Sequence, residues 1–187
     1  MDVRTQEGSP GQAGIEGLEE MINTYRPPAM ALALNILGNR EDAEDACQEM
    51  FVSAFHRLPS LPNPSGAKKW LFTILYRKCL DMIRRRKRST RLVWKVRNQN
   101  PSQLFHCENF EGNTNPAQHP PLPKNVLGEL SEKQRAALSL WANQDYSPDE
   151  IASIMGCAAG TVRVHLFKAR RKIKAMMEKD NVFLQTR

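Results

Sequence analysis

The residues best suited to chemistry lie between Ser147 and Lys174, SPDEIASIMGCAAGTVRVHLFKARRKIK, and the chemistry they suit is recognition of a polyanion. Between Thr161 and Lys179 seven Lys or Arg stand against one acid, Glu178. A helix that is merely solvated mixes signs, which gains i,i+4 pairs and avoids repulsion, so the imbalance asks for phosphate. The local pattern is helix, turn, helix. Ser147 can cap the first helix, with Pro148 at its first position and Glu150 placed for a reciprocal capping box, and Gly156 can end it. The second helix starts near Ala159, and Val162, Leu166, Ala169 and Ile173 recur as its inner face. Its outer face offers Arg163, His165, Lys168, Arg170, Arg171, Lys172 and Lys174. Such a helix suits a DNA major groove, with its first residues at base edges and its later cations on phosphates. A solvated surface helix is the plainer reading, and it leaves the charge imbalance unexplained.

Two further clusters carry opposite signs. From Arg77 to Lys95 there are nine Lys or Arg against Asp81 alone, interleaved with Trp70, Phe72, Tyr76 and Trp94. Cations track a phosphate backbone while aromatic faces stack on exposed bases, a combination suited to single-stranded or unpaired nucleic acid. Core packing is the alternative for Trp70 and Phe72. The five consecutive cations Arg84 to Arg88 exceed what the dipole at a helix end favours, and a phosphate contact is preferred. The other cluster is acidic: Glu41, Asp42, Glu44, Asp45 and Glu49. Acids in a first turn complement the macrodipole, which accounts for those up to Asp45. Glu49, with Asp45 and Gln48, falls opposite the apolar stripe of the same helix, as an acidic protein-docking surface would. A divalent-metal nuclease site is a third reading, and it lacks a nearby histidine.

These clusters need elements to carry them, and the sequence predicts an all-α fold. Alternating apolar and polar runs rich in Val, Ile or Thr are almost absent, while helical periodicity is widespread. Helices are expected over Ile15 to Tyr25, Pro28 to Leu37 with a stop at Gly38, Glu41 to Leu58, and Ala67 to Arg88. The third has an inner stripe of Ala43, Ala46, Cys47, Met50, Phe51, Ala54, Phe55 and Leu58, and the fourth turns Leu71, Ile74, Leu75, Cys79, Met82 and Ile83 inward. Polar residues with Pro116, Pro120, Pro121 and Pro123 then read as a flexible linker. Ser131 and Gln134 repeat the capping-box pattern before Ala136, Ala137, Leu138, Leu140 and Trp141. The expected division is therefore 1–14 disordered, 15–95 a first domain, 96–124 the linker and 125–187 a second domain ending in the helix-turn-helix.

With 187 residues and a formal net charge of +7, the chain has room for one ordinary domain or two small ones and favours a polyanionic partner. Charges interrupt every apolar run before it is long enough to span a bilayer, and Met1 to Gly14 lacks a signal peptide's basic start and apolar core. A cytoplasmic protein with no membrane insertion is expected. Cys47, Cys79, Cys107 and Cys157 match no ligand spacing and read as reduced structural thiols. His106 beside Cys107 supplies too few ligands for zinc, and no metal, cofactor or catalytic group is expected.

Taken together, and in this order, the motifs resemble an extracytoplasmic-function (ECF) sigma factor, the small two-domain bacterial RNA polymerase specificity subunit. The resemblance spans roughly Tyr25 to Arg88 and Val126 to Lys174. Asp42-Ala43-Glu44-Asp45 with Gln48-Glu49 and Phe51 is similar to the family's polymerase-docking motif in sigma region 2. Trp70-Leu71-Phe72 with Ile74, Asp81 and the Arg run is similar to its promoter-melting helix. Ser147-Pro148-Asp149-Glu150-Ile151-Ala152 and Gly160-Thr161-Val162-Arg163 fit its DNA-reading helix-turn-helix in region 4.

The resemblance implies core RNA polymerase and promoter DNA as partners, with room for an anti-sigma factor that no residue here identifies. It implies polymerase binding by Asp42, Asp45, Gln48, Glu49 and Phe51, and minus-ten recognition by Lys69, Trp70, Phe72, Tyr76, Arg77, Arg84 and Arg85. It implies minus-thirty-five recognition by Thr161, Arg163, Val164, Phe167, Lys168 and Arg171, with Arg163 suited to a guanine edge and Val164 or Phe167 to a thymine methyl. Two positions depart from the pattern: Arg77 stands where the family commonly has Asn, and Val164 where it commonly has a small polar side chain. A conventional duplex-binding helix-turn-helix regulator is the alternative, and it has no need of an aromatic, basic Trp70 helix.

Overall fold

In the computed structural model the described residues are 10–57, 66–94 and 124–185, and every regular element among them is a helix. Helices α1 (Pro10–Leu37), α2 (Arg40–Phe55) and α3 (Ala67–Trp94) make an N-terminal unit. Helices α4 (Lys124–Glu129), α5 (Glu132–Gln144), α6 (Pro148–Met155) and α7 (Ala159–Gln185) make a C-terminal one. Of the expected linker only Lys124 is described, as the first residue of α4; His106 and Cys107 lie outside the described residues. The disorder expected over 1–14 gives way to helix from Pro10, and residues 1–9 lie outside the described residues.

The two helices expected before Gly38 are one. Pro27 and Pro28 sit inside α1, where each deletes a backbone donor and crowds the preceding turn at a cost of about 3 kcal/mol. Burial outweighs that. Every residue from Pro28 to Gly38 is buried, and α1 packs on α2, α3 and α5, as suits a helix that is apolar all round. Leu32, Ile36 and Leu37 alone stabilise by about 1.5–3 kcal/mol each. Gly38 then ends the helix in the left-handed region, at φ 78°, its N–H donating to the Leu34 carbonyl at 2.8 Å.

Asn39 caps α2, its Oδ1 accepting from the Asp42 N–H at 2.8 Å. Ala43, Ala46, Cys47, Met50 and Ala54 form the buried face of α2. Phe55, expected in that stripe, is 51% exposed. It follows Ala54 by one residue, and about 100° of helix rotation carries it out of the seam. Leu58 lies outside the described residues.

Both capping boxes form. Ser131 N–H donates to Gln134 Oε1 at 3.1 Å, and Ser147 N–H to Glu150 Oε2 at 2.8 Å, with each serine hydroxyl accepting from the partner's backbone in return. Gly156 ends α6 at φ 64°. These joints hold α5, α6 and α7 around Leu140, Ile151, Ile154, Val162 and Leu166, all buried.

The two units share one hydrophobic cluster, running from Leu32 and Ile36 through Phe72 and Leu75 to Leu140, Tyr146 and Ile151. Asn35 of α1 donates to Ser139 Oγ of α5 at 2.7 Å inside that contact. Two tethered units were expected, and their packing together follows from α1: its apolar circumference is more than α2 and α3 alone cover.

Candidate nucleic-acid interface

On α7, Val162, Leu166 and Ala169 point into the core and leave Thr161, Arg163, Val164, Phe167, Lys168 and Arg171 exposed. Their spacing keeps them along one side of the helix. Phe167 is 65% exposed and Val164 48%, so among the described residues an apolar pair stands uncovered beside cations. Large apolar side chains displayed this way serve contact with a partner. Arg163 lies 3.6 Å from Asp149 of α6, both exposed, so its guanidinium is held over the turn between the two helices. Asp149 entered the sequence reading only as part of the helix-turn-helix motif, because its contact with Arg163 depends on how α6 and α7 cross.

Not every cation of the outer face is available to phosphate. Arg170 lies over the Trp141 ring, 4.1 Å from its centroid, and Lys172 donates to the Glu129 carbonyl at the end of α4. Lys174 lies 3.8 Å from Glu178. Burial first, then Lys133 and Lys168, lower the pKa of His165.

Along α3, Arg77, Arg84 and Arg85 are exposed, and Lys69 and Trp70 half-buried. The other two aromatics are inside: Phe72 is 1% exposed and Tyr76 2%, so in this arrangement neither ring can stack on a base. Burial pushes the Tyr76 hydroxyl up to about 12. Phe72 meets Tyr146 edge-on, ring centroids 6.1 Å apart. For Phe72 the packing alternative is the one realised here, and Tyr76, for which stacking alone was expected, is packed inside as well. Arg84 pairs with Asp81, and Arg86 reaches back to Asp42.

That last pair changes the role of Asp42, whose carboxylate also accepts from Asn39 Nδ2 at 2.9 Å. Asp42 ties α2 to α3. Phe51 packs against the core. Asp45, Gln48 and Glu49 of α2 face outward, with Val52, which the sequence reading passed over, and Phe55, which it placed inside. Asp45, Gln48, Glu49, Val52, Ser53 and Lys78 line an open groove of about 400 Å³, with Lys78 and Glu49 paired at 2.9 Å. Acidic side chains beside the exposed Val52 and Phe55 suit a basic, amphipathic protein surface.

Cys47 and Cys79 lie in the core, where burial pushes the first thiol up to about 12 and raises the second, as suits inert packing thiols.

Comparison with known families matches residues 21–89 to sigma-70 region 2 and residues 124–173 to sigma-70 region 4. The chain belongs to the sigma-70 family, as an ECF sigma factor. It is 29% identical over 169 residues to the ECF RNA polymerase sigma factor EcfG of Rhodopseudomonas palustris, covering 88% of this chain and 87% of that one. With the ECF sigma factor SigE of Mycolicibacterium smegmatis it shares 27% identity, over 91% of this chain and 65% of that one. Among solved structures, the sigma factor RpoE of Bartonella quintana, crystallised with the anti-sigma factor NepR, has the same fold: TM-score 0.68 at 24% identity, covering 87% of this chain and 98% of that one. This sigma factor directs promoter-specific transcription initiation, with core RNA polymerase and promoter DNA as its partners. Among its described residues no helix is long and apolar enough to cross a membrane.

Proposed function

We propose that the three outward faces divide the work of initiation. The α2 groove around Asp45, Gln48 and Glu49 docks on core polymerase, with Val52 and Phe55 supplying the apolar part of the contact. The α3 face of Lys69, Trp70, Arg77, Arg84 and Arg85 holds the minus-ten element as it opens, Trp70 stacking and the arginines on phosphate. Phe72 and Tyr76 join that face once the two units part. The α7 row of Thr161, Arg163, Val164, Phe167, Lys168 and Arg171 reads the minus-thirty-five element, Arg163 at a guanine edge and Val164 or Phe167 against a thymine methyl. The domain limits are those of the two units, with the segment between α3 and α4 as the tether. The protein works in the cytoplasm as a regulatory subunit with no catalytic group of its own. An anti-sigma factor, such as the one in the Bartonella complex, is the class of inhibitor it would meet.

The observation that carries this reading is the exposure of Val164 and Phe167 beside the exposed Arg163, Lys168 and Arg171 on α7, opposite the buried Val162, Leu166 and Ala169. Run-off transcription with core polymerase on the promoter upstream of its own gene tests it. Specific transcripts are expected only with the protein present. Charge reversal at Asp45 and Glu49 should abolish them and leave duplex binding intact, whereas equal loss of both activities removes the docking assignment.

A further inference from the structure

We propose that Asp149 is a positioning residue for base recognition: from the start of α6 its carboxylate holds the Arg163 guanidinium in place and so sets how strictly one base pair is read. The inference rests on the reading of Arg163 as the residue at a guanine edge. Asp149 Oδ2 lies 3.6 Å from Arg163 Nη2, across the turn between α6 and α7. Of the two acids at the start of α6, Glu150 is committed elsewhere, its Oε2 accepting from the Ser147 N–H at 2.8 Å and the Ser147 hydroxyl at 2.7 Å. Asp149 is the one that meets α7. Its backbone is fixed by that capping box and by the Ser153 hydroxyl, which donates to the Asp149 carbonyl at 3.1 Å. The crossing of the two helices is fixed in turn by Ile151, Ile154, Val162 and Leu166, all buried. Among the described residues, Lys174 pairs only within α7, and Lys168 and Arg171 have no carboxylate partner.

A guanidinium carries five N–H donors in one plane, and a single carboxylate uses at most one edge of it. The other edge stays free for the O6 and N7 acceptors of guanine. Holding the side chain before DNA arrives removes part of the rotamer entropy that binding would otherwise cost. The carboxylate also repels phosphate, so it keeps the guanidinium from leaving the base edge for the backbone. That second effect is the source of selectivity. An arginine free to swing onto phosphate binds every sequence alike, whereas one held at the base loses its contact when the base is wrong. In the free protein the pair is weak, because both side chains are exposed and water screens them. Once the groove excludes water, the attraction between the two charges grows. The contribution of Asp149 therefore appears in the choice of base and leaves the stability of the fold almost untouched.

The test uses the full chain as wild type, Asp149→Asn, Asp149→Glu, Arg163→Ala and the Asp149→Asn/Arg163→Ala double variant. Each is titrated by fluorescence anisotropy against a duplex of the promoter upstream of its own gene and against every single-base substitution in the minus-thirty-five element. The base pair at which Arg163→Ala loses its preference locates the contact. At that pair Asp149→Asn should reduce discrimination about threefold or more, while its affinity for the substituted duplexes stays within about twofold of wild type. Asp149→Glu keeps the carboxylate and should keep most of the discrimination. In the Arg163→Ala background, Asp149→Asn should change nothing at that pair. Asp149 is 75% exposed, so the Asn variant should melt within a few degrees of wild type. Full discrimination by Asp149→Asn, where Arg163→Ala has lost it, overturns the proposal and leaves base reading by Arg163 standing. Equal weakening on all duplexes also overturns it, in favour of a purely structural role. An Asp149→Asn effect of the same size in the Arg163→Ala background overturns it too, because the carboxylate would then touch a base directly. Should Arg163→Ala leave every base preference unchanged, the reading of Arg163 falls and the proposal with it.

Discussion

Single side chains separate base reading from phosphate holding. Arg163 sits near the start of α7, where a groove-inserted helix meets base edges, and Lys168 lies a turn later among exposed residues. Arg163→Ala should cost about 1–3 kcal/mol against the best duplex and relax the choice at one base pair. Lys168→Ala should weaken all duplexes alike and lower the salt slope by about 1. Fluorescence anisotropy at several salt concentrations, on a set of single-base variants, distinguishes the two. Phe167 was legible in the sequence because Val162, Leu166 and Ala169 already account for the inner face. Phe72 was not, since its fate depends on Tyr146, which is distant in sequence and reaches it only through the packing of the two units.

At the scale of elements, the joints of the helix-turn-helix are local. Ser147 and Glu150 satisfy each other's backbone within one turn, so the start of α6 could be read from four residues. Gly156 follows the same logic. A Cβ there would meet nothing within 4 Å, so replacement acts through the backbone alone, at φ 64°. Gly156→Ala should cost about 1–2 kcal/mol, the price of an L-residue in the left-handed region, seen as a lower Tm with duplex binding lost only as the protein unfolds. A change larger than about 4 kcal/mol would mean that the turn carries tertiary contacts absent from this account. The continuous α1 was illegible for the opposite reason: Pro27 and Pro28 break a helix locally, and only the burial from Pro28 to Gly38 on neighbouring helices outweighs them.

Across the whole molecule, the Lys87–Glu132 pair makes the packing of the two units sensitive to acid. Burial opposes the Glu132 charge, but the Lys87 hydrogen bond and its own backbone contact prevail and hold the carboxyl below its ordinary value of 4.5. A carboxyl lowered on folding adds stability above its unfolded pKa and loses it as the pH falls through the folded one. With Lys87 largely exposed the contribution is about 0.2–1 kcal/mol at pH 7. Thermal melts of wild type and Glu132→Gln should therefore differ by a few degrees at pH 7 and converge below pH 4.5. A gap that persists in acid would assign the difference to packing instead of charge.

The sequence alone determined the helices with local caps, the inner and outer faces of α2, α3 and α7 in outline, the two clusters of opposite charge, and the family they resemble. Those features follow from periods of three to four residues and from contacts within a single turn, which a linear reading can count. Tertiary structure decided which aromatics on α3 are free, which cations pair inside the chain, and that the units on either side of the tether close on one another. Each of these turns on a contact between residues tens of positions apart, where burial of apolar surface, which has no sequence period, outweighs what the local chain prefers.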